Sequence, residues 1–357
     1  MSRSITNDSS SRSVEDDATD EDIVVVDIRY LLGYLLTEES LSDISLQGKD
    51  GHIVPANKCV LAARSSTFRR ILFGGRQIAS SALAVTVTAF SGESYSADGS
   101  ILRMNYNGDV LESLLEFIYT DHAELLTIAL EDTQELDDRD LIPLVKSLVY
   151  LSDAALRFGL QTLYEKSQDA GCHLLTMSDG SRDHLSCSIL EAYHMLEDSD
   201  SGLSSGSDTH ILQQKALERI RANPLVVLKS PSLPCLSSSL LEEIVNDDDI
   251  EADELTLFTI IQKWLDCFIE SPLMNPTEEQ IEYRRTVARN LASSHIRLEH
   301  MNPNDLATVV SSSGLIDESR INEAYKVQAF EAASSLSKDE RRVGKPRRVP
   351  ASSSSPP

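Results

Sequence analysis

Basic residues are scarce in this chain, and so are aromatics. Lys and Arg together number 32 against 57 Asp and Glu, and Phe, Trp and Tyr make up 5% of the residues. A body of formal charge −25 repels a phosphate backbone, which excludes nucleic-acid binding by the folded part and leaves such a role only to a short basic tail. Cysteine is sparse and scattered. Cys59, Cys172, Cys187, Cys235 and Cys267 include no CxxC pair, and an odd, dispersed set reads as reduced thiols of an intracellular protein rather than a disulfide framework. Long hydrophobic runs are missing. The longest uncharged stretch, 77–92, is too short and too rich in Ser and Thr to span a bilayer, and the polar, acidic N-terminus has no signal-peptide core. A soluble chain of the cytoplasm, the nucleus or both is expected, with no membrane partner.

Catalytic signatures are missing as well. The sequence holds no GxSxG, HExxH or GxGxxG element and no phosphate loop ending in GKS or GKT, so no enzyme activity and no cofactor are expected. Cys172, His173, His184 and Cys187 supply metal-ligand types in one window. Their spacing is a CH dipeptide and a lone HxxC, which is not a paired zinc knuckle, and the expectation is no metal. The acidic clusters Asp137-Asp138 and Asp247-Asp248-Asp249 read as solvated loops or helix starts rather than paired catalytic carboxylates. No repeat of 30–50 residues appears, which excludes a propeller or an ankyrin array.

What is present is enough apolar residue, 41% of 357, for two packed domains with tails. Residues 1–27 are rich in Ser, Asp and Glu and read as a disordered acidic arm, whose short run Ile23-Val24-Val25-Val26 is suited to add a strand or dock at an interface. Residues 331–357 read as a disordered basic and Ser-Pro tail. Its GKPRR (344–348) is either a nuclear-import signal or a solubilising tail. The serine-rich stretch 197–208 reads as a loop.

Between the tails two textures follow one another. Residues 28–36 (IRYLLGYLL) are too apolar all round for an isolated surface helix and must be covered by their own domain or a second chain. Ile44 and Leu46 alternate with Ser45 and Gln47 ahead of Asp50-Gly51, which predicts a hairpin. After Pro55 the period changes, and Val60, Leu61, Ala63, Phe68, Ile71 and Leu72 predict two short helices meeting at Ser65-Ser66. Residues 81–104 return to strand character, with Leu83, Val85 and Val87 alternating. Leu111, Leu114, Leu115 and Ile118 then mark one face of a helix starting near Asp109.

This order, with Ser42-Asp43-Ile44, Pro55-Ala56, Lys58, Val60-Leu61-Ala62-Ala63-Arg64-Ser65, Phe68 and Leu115-Glu116-Phe117-Ile118-Tyr119-Thr120, closely resembles the BTB/POZ domain over residues 28–175. Three departures stand out. Asn57 replaces the family's usual His, Asp121 replaces the Gly after the Tyr-Thr pair, and 74–100 is longer than the usual link. A short acidic stretch, 131–140, also precedes the next helix, which is opened by Leu141, Leu144, Val145 and Leu148.

From 140 onward the pattern is almost entirely helical. Residues 215–230 and 239–266 predict three helices, the last with Leu257, Phe258, Ile261, Trp264, Leu265 and Phe268 on one stripe and Asp253 and Glu254 near its positive end. Trp264 is expected in the core. Further on, Asn302 is expected to cap a helix that Pro303 opens and Ser313-Gly314 stops, with Asp317 starting the next. The spacing of these segments over 176–330 resembles the BACK domain. The expected fold class is therefore α+β: a BTB/POZ fold, helices around a small sheet, followed by an all-α BACK-like helical domain.

The resemblance implies a non-catalytic homodimer in which Tyr30, Leu31, Leu32, Tyr34 and Leu35 of the leading helix face the second subunit, and Asp43, Asn57 and Lys58 lie at a charged pocket in the dimer centre. It further implies an adaptor that links an unknown protein substrate to a cullin scaffold of a ubiquitin ligase, with Phe68, Tyr106 and Tyr119 as candidates near the cullin-facing surface, core packing being the stronger reading for Phe68 and Tyr119. Cullin-binding members carry a hydrophobic-x-acid element after the third helix. Phe90-Ser91-Gly92-Glu93 is one residue out of register with it. The alternative is a scaffold or transcriptional co-regulator that binds no cullin.

Overall fold

The computed structural model describes residues 28–74, 94–95, 100–131, 136–176, 182–199, 210–270 and 275–334. The expected acidic arm and the strand positions Leu83, Val85 and Val87 lie outside these residues; of the expected Ser-rich loop 197–208 the first three residues continue a helix, as do the first four of the expected tail 331–357, and the rest of both lies outside. The chain opens with α1 (Ile28–Thr37) and a 3-10 turn (Glu39–Leu41), then the hairpin β1 (Ile44–Gln47) and β2 (Ile53–Ala56). Next come α2 (Lys58–Arg64), α3 (Ser66–Phe73), β3 (Ser94–Tyr95), β4 (Ile101–Arg103), α4 (Gly108–Thr120) and α5 (Glu124–Leu130). The described sheet has the order β2-β1-β4-β3. β1 is antiparallel to β2, with Leu46 opposite Val54, and parallel to β4, with Leu46 opposite Leu102.

The hairpin forms where the sequence places it. Gly51 takes φ +84, a conformation that costs a residue with Cβ, and the Gly48 N–H donates to the His52 carbonyl at 2.8 Å. Asp50 then fixes the turn to the next helix: its Oδ1 accepts from His52 N–H at 3.1 Å and its Oδ2 from Gly108 N–H at 2.9 Å. The Gly108 bond leads the causes that hold the Asp50 carboxyl below its usual range. Gly108 itself must lack a side chain, since a Cβ there would meet the His52 ring at 2.5 Å.

α2 and α3 meet at Ser65, as expected. Its Oγ accepts the Phe68 N–H at 3.1 Å and donates to the Phe158 carbonyl at 2.6 Å, so one hydroxyl caps α3 and ties it to a residue far along the chain. In α4, Leu111, Leu114, Leu115 and Ile118 are all fully buried. Each removes a large aliphatic side chain from water, worth about 1.5–3 kcal/mol apiece.

The helical half begins with α6 (Asp138–Arg157) and α7 (Gln161–Thr176), followed by α8 (Leu185–Ser199), α9 (Ile211–Ala222), α10 (Leu225–Lys229), α11 (Ser238–Asn246), α12 (Glu254–Glu270) and α13 (Glu278–His295). Residues 215–270 thus form four helices, not three. Pro224, without an N–H to donate, ends α9, and Asn223 leaves helical geometry at φ −145, ψ 77. Asn302 caps the next helical run by accepting from the Asn304 N–H, Pro303 opens it, and Gly314 ends it at φ +64. A π-type turn, Leu306–Val310, lies inside that run and has no counterpart in the sequence pattern. Thr308 Oγ1 donates to the Asn304 carbonyl at 2.7 Å, and Ser312 Oγ donates to the Thr308 and Val309 carbonyls at 2.7 and 3.0 Å. These hydroxyls satisfy carbonyls in and beside the displaced ladder. The chain closes with α14 (Glu318–Ser334).

A boundary at 175/176 divides the sequence but not the core. α7 packs along α6 before it, α8 and α9 beyond it pack on α6 and α7, and the buried apolar residues from Ile44 to Ala324 form one cluster. At the junction a buried Gln168 on α7 holds three other helices. Its Nε2 donates to Ser152 Oγ of α6 at 2.6 Å and to Tyr193 Oη of α8 at 2.8 Å, while its Oε1 accepts the Leu212 N–H of α9 at 2.9 Å. Replacing Gln168 by Leu leaves the Leu212 N–H buried without a partner. A loss of about 2–3 kcal/mol in urea unfolding is expected, and a change within measurement error would show that the junction does not depend on this amide.

Candidate protein-interaction surfaces

α1 has two faces with different fates. Leu32, Leu35 and Leu36 pack against the core, where α1 lies along α4, and a Cβ on Gly33 would sit 3.4 Å from Thr120 Cγ2. Leu31 and Tyr34, three residues apart and so neighbours on one face, are 51% and 57% exposed. The side chain of Tyr30 is outside the described ones. Of the leading-helix residues expected at a dimer interface, Leu31 and Tyr34 therefore point outward, and Leu32 and Leu35 serve their own domain.

An ion-pair bridge holds the start of this helix. Asp121 caps α4 in the left-handed conformation at φ 60, where the resembling family has Gly. Its carboxylate reaches Arg29 of α1 at 3.5 Å and also Arg64 of α2, whose Nε donates to the Ile118 carbonyl at 3.0 Å. The strain of a non-Gly residue in that conformation is of order 1 kcal/mol, and two arginines at one carboxylate offset it.

Asp43, Asn57 and Lys58 do come together, but within one chain. Asp43 Oδ1 accepts the Lys58 N–H at 2.7 Å and so caps α2. Asn57 is buried. Its N–H donates to Tyr119 Oη at 2.7 Å, the Tyr119 hydroxyl donates back to Asn57 Oδ1 at 3.0 Å, and Asn57 Nδ2 donates to the Leu41 carbonyl at 2.6 Å. This knot ties α2, α4 and the 3-10 turn. Its members stand as far apart as 57 and 119 in the chain, which no local pattern reveals.

The three residues expected to face a cullin are core residues. Phe68 is 0% exposed and stacked on Phe158, with ring centroids 4.3 Å apart and planes 8° from parallel. Tyr106 is 4% exposed, and its hydroxyl donates to Asp153 Oδ2 at 2.6 Å, an oxygen that also accepts from Arg157 Nε at 2.8 Å. Tyr119 is 1% exposed. All three are buried, and their assignment to the surface is corrected accordingly.

In the helical half, Trp264 is 3% exposed and its indole N–H donates to the Leu236 carbonyl at 3.0 Å, which agrees with a core role. Over its face, at 3.8 Å from the ring centroid, lies the Arg284 guanidinium of α13. The same group is 4.1 Å from the centroid of Phe268, and its Nη2 donates to the Pro234 carbonyl at 2.8 Å. Burial pulls Arg284 down to about 10. The sequence pattern flagged both rings but not their cation. Cys172 and Cys187 are buried, burial pushes the Cys187 thiol up to about 12, and His184 Nε2 lies 3.0 Å from Asp138 Oδ1. Among the described residues no three His, Cys, Asp or Glu side chains converge as metal ligands, and no helix is long and apolar enough to cross a membrane.

These features belong to a protein-interaction module. The BTB/POZ domain family matches residues 32–149, so the chain carries a BTB/POZ domain, followed by a mostly helical region. The chain is also 25% identical over 300 residues, 81% of its length, to "BTB/POZ domain-containing protein 9" of Drosophila melanogaster. It spans 31% of the length of that relative. A BTB/POZ domain is a protein-interaction domain, which supports an adaptor role.

Burial pushes the Tyr119 hydroxyl up to about 12. A raised phenol loses its proton in the unfolded chain first, near its ordinary value of about 10. Its stabilising contribution is therefore whole below pH 10 and lost as pH rises through 12. Tyr119→Phe is expected to lower stability by about 1–3 kcal/mol at pH 8 by leaving Asn57 unsatisfied. The variant should also lose less stability than the wild type between about pH 9 and about pH 11 in guanidinium titrations. Equal pH slopes would contradict the knot.

Proposed function

We propose that the chain is a homodimeric, non-catalytic adaptor, in which two BTB/POZ domains join through α1 and the helical half, a BACK-like unit over 176–330, holds a client protein. The observation that carries the reading is the division of α1: its inner face is anchored on α4 while Leu31 and Tyr34 are left facing water. Covering the exposed half of each side chain on association yields about 1 kcal/mol apiece. A dimer then presents two copies of every attached surface, and two weak client contacts gain from effective concentration.

The onward partner proposed first is a cullin scaffold of a ubiquitin ligase. The burial of Phe68, Tyr106 and Tyr119 favours a second reading, a scaffold or transcriptional co-regulator that binds no cullin. Without those side chains and without an in-register hydrophobic-x-acid element in 74–100, cullin contact must rest on other exposed residues, of which Phe73 at the end of α3 is one. The nuclear form of the second reading rests on GKPRR in the tail, and the cytoplasm is the alternative location.

Leu31→Asp combined with Tyr34→Ser is expected to convert a dimer to a monomer in light scattering while the helical circular dichroism stays unchanged, since neither side chain is buried. A variant of unchanged mass would place the association elsewhere. Calorimetry of the full chain with a cullin N-terminal domain separates the two onward readings: saturable binding supports the ligase adaptor, and none by a clean dimer leaves the scaffold.

A further inference from the structure

The helical half closes with a helix that is held lightly. Along α14, among the described side chains, Ile321 and Ala324 are buried apolar residues, and Tyr325 packs partly on the core. Many of the others face water, Phe330 at 69% exposure among them. A helix of 17 residues is marginal in water by itself and draws its stability from the apolar face it packs. Here that face is thin.

The rest of the hold is polar and runs to backbone carbonyls. Arg320 Nη2 donates to Ser293 at 3.1 Å and Tyr325 Oη to Pro303 at 3.2 Å. Gln328 Nε2 donates to Leu298, Glu299 and Met301 at 3.4, 3.2 and 2.8 Å, so two N–H groups are shared among three acceptors. α14 lies on the 3-10 turn Leu298–His300. Among the described residues, neither the buried Gln328 Oε1 nor the buried Nε2 of His300 in that turn has a hydrogen-bond partner. Such atoms favour opening, because each regains a partner in water.

The floor beneath α14 does not share this weakness. The Arg297 N–H, at the start of the turn, donates to Oε2 of the buried Glu254 on α12 at 2.9 Å, and the Arg297 side chain pairs with Asp248. Leu298 and Met301 are buried. Just beyond Pro303 the π-type turn Leu306–Val310 departs from regular helix, an irregularity of the kind that recurs at functional sites. With α14 lifted, the carbonyls of Leu298, Glu299, Met301 and Pro303 lose their donors, and the apolar area that met Ile321 and Ala324 is open.

A guest for that floor needs the chemistry of the helix that leaves it. α14 presents Ile321, Ala324, Tyr325 and Gln328 at i, i+3, i+4 and i+7, which is one helical face. We propose that α14 is a detachable strap that lifts as one unit, and that its floor then receives a client helix with aliphatic and small side chains and hydrogen-bond donors in the same spacing. The lifting is independent of the adaptor reading, and the guest rests on that reading's claim that the helical half holds a client.

Hydrogen exchange of the full chain tests the lifting. The amides from Ile321 to Gln328 are expected to exchange at one common rate, about tenfold or more faster than those of the buried Ala288, Leu291 and Ala292 in α13. Protection that falls steadily toward Ser334 is end fraying and overturns the strap, as does protection equal to that of α13. A labelled peptide of residues 317–334 probes the docking. Gln328→Ala in the full chain, which loosens the strap, should raise the affinity for this peptide about tenfold, the equivalent of about 1.4 kcal/mol of hydrogen bonding lost from the closed form. Arg320→Ala, at an exposed side chain, should act in the same direction. Gln328→Ala in the peptide should cancel the gain. Affinity that neither chain variant changes, or a peptide that binds equally well without its amide, overturns the docking site. Neither result bears on association through α1, which light scattering reads separately.

Discussion

The packing of α6 against both halves is the constraint on which the rest of the molecule depends. This one helix closes the BTB/POZ domain by burying Leu141, Leu144, Val145 and Leu148, and it offers other positions to α7 and α8. Ser147 Oγ reaches Asp109 of α4 at 2.6 Å, Ser152 receives Gln168, and Asp153 gathers Tyr106 and Arg157. Polar groups buried at such density must all be satisfied or they destabilise the fold. The BTB/POZ domain and the helical region after it are therefore joined by one continuous core rather than by a linker.

Rigid positioning gives the exposed residues their meaning. A helix with three leucines turned inward and Leu31 and Tyr34 turned outward has a surface whose direction is set by its own domain. The ion pairs of Asp121 with Arg29 and Arg64 fasten the start of that helix without covering it. The polar knot of Asn57 and Tyr119 does the same for α2.

Much of this was readable in the residues, and what escaped has a physical reason. The hairpin at Asp50-Gly51, the break at Ser65, the buried face of α4 and the cap at Asn302 rest on local chemistry, and each formed as patterned. The surface reading of Phe68, Tyr106 and Tyr119 depended on which distant groups would meet them. Those partners, Phe158, Asp153 and the Asn57–Tyr119 pair itself, lie 47 to 90 positions away. Arg284 was invisible for the same reason, because helical spacing identifies Trp264 and Phe268 as apolar but not the cation that covers them. The break at Asn223-Pro224 is a different kind of miss, since proline's missing donor was in plain sight.

Hydrogen exchange of α1 as a function of protein concentration tests the adaptor account most directly. If a second copy covers Leu31 and Tyr34, the amides of Ile28–Thr37 become more protected as concentration rises through the dimerisation range, while those of the buried α4 stay unchanged. Protection of α1 that is the same at every concentration would contradict the account, and would mean that this face is not where two chains meet.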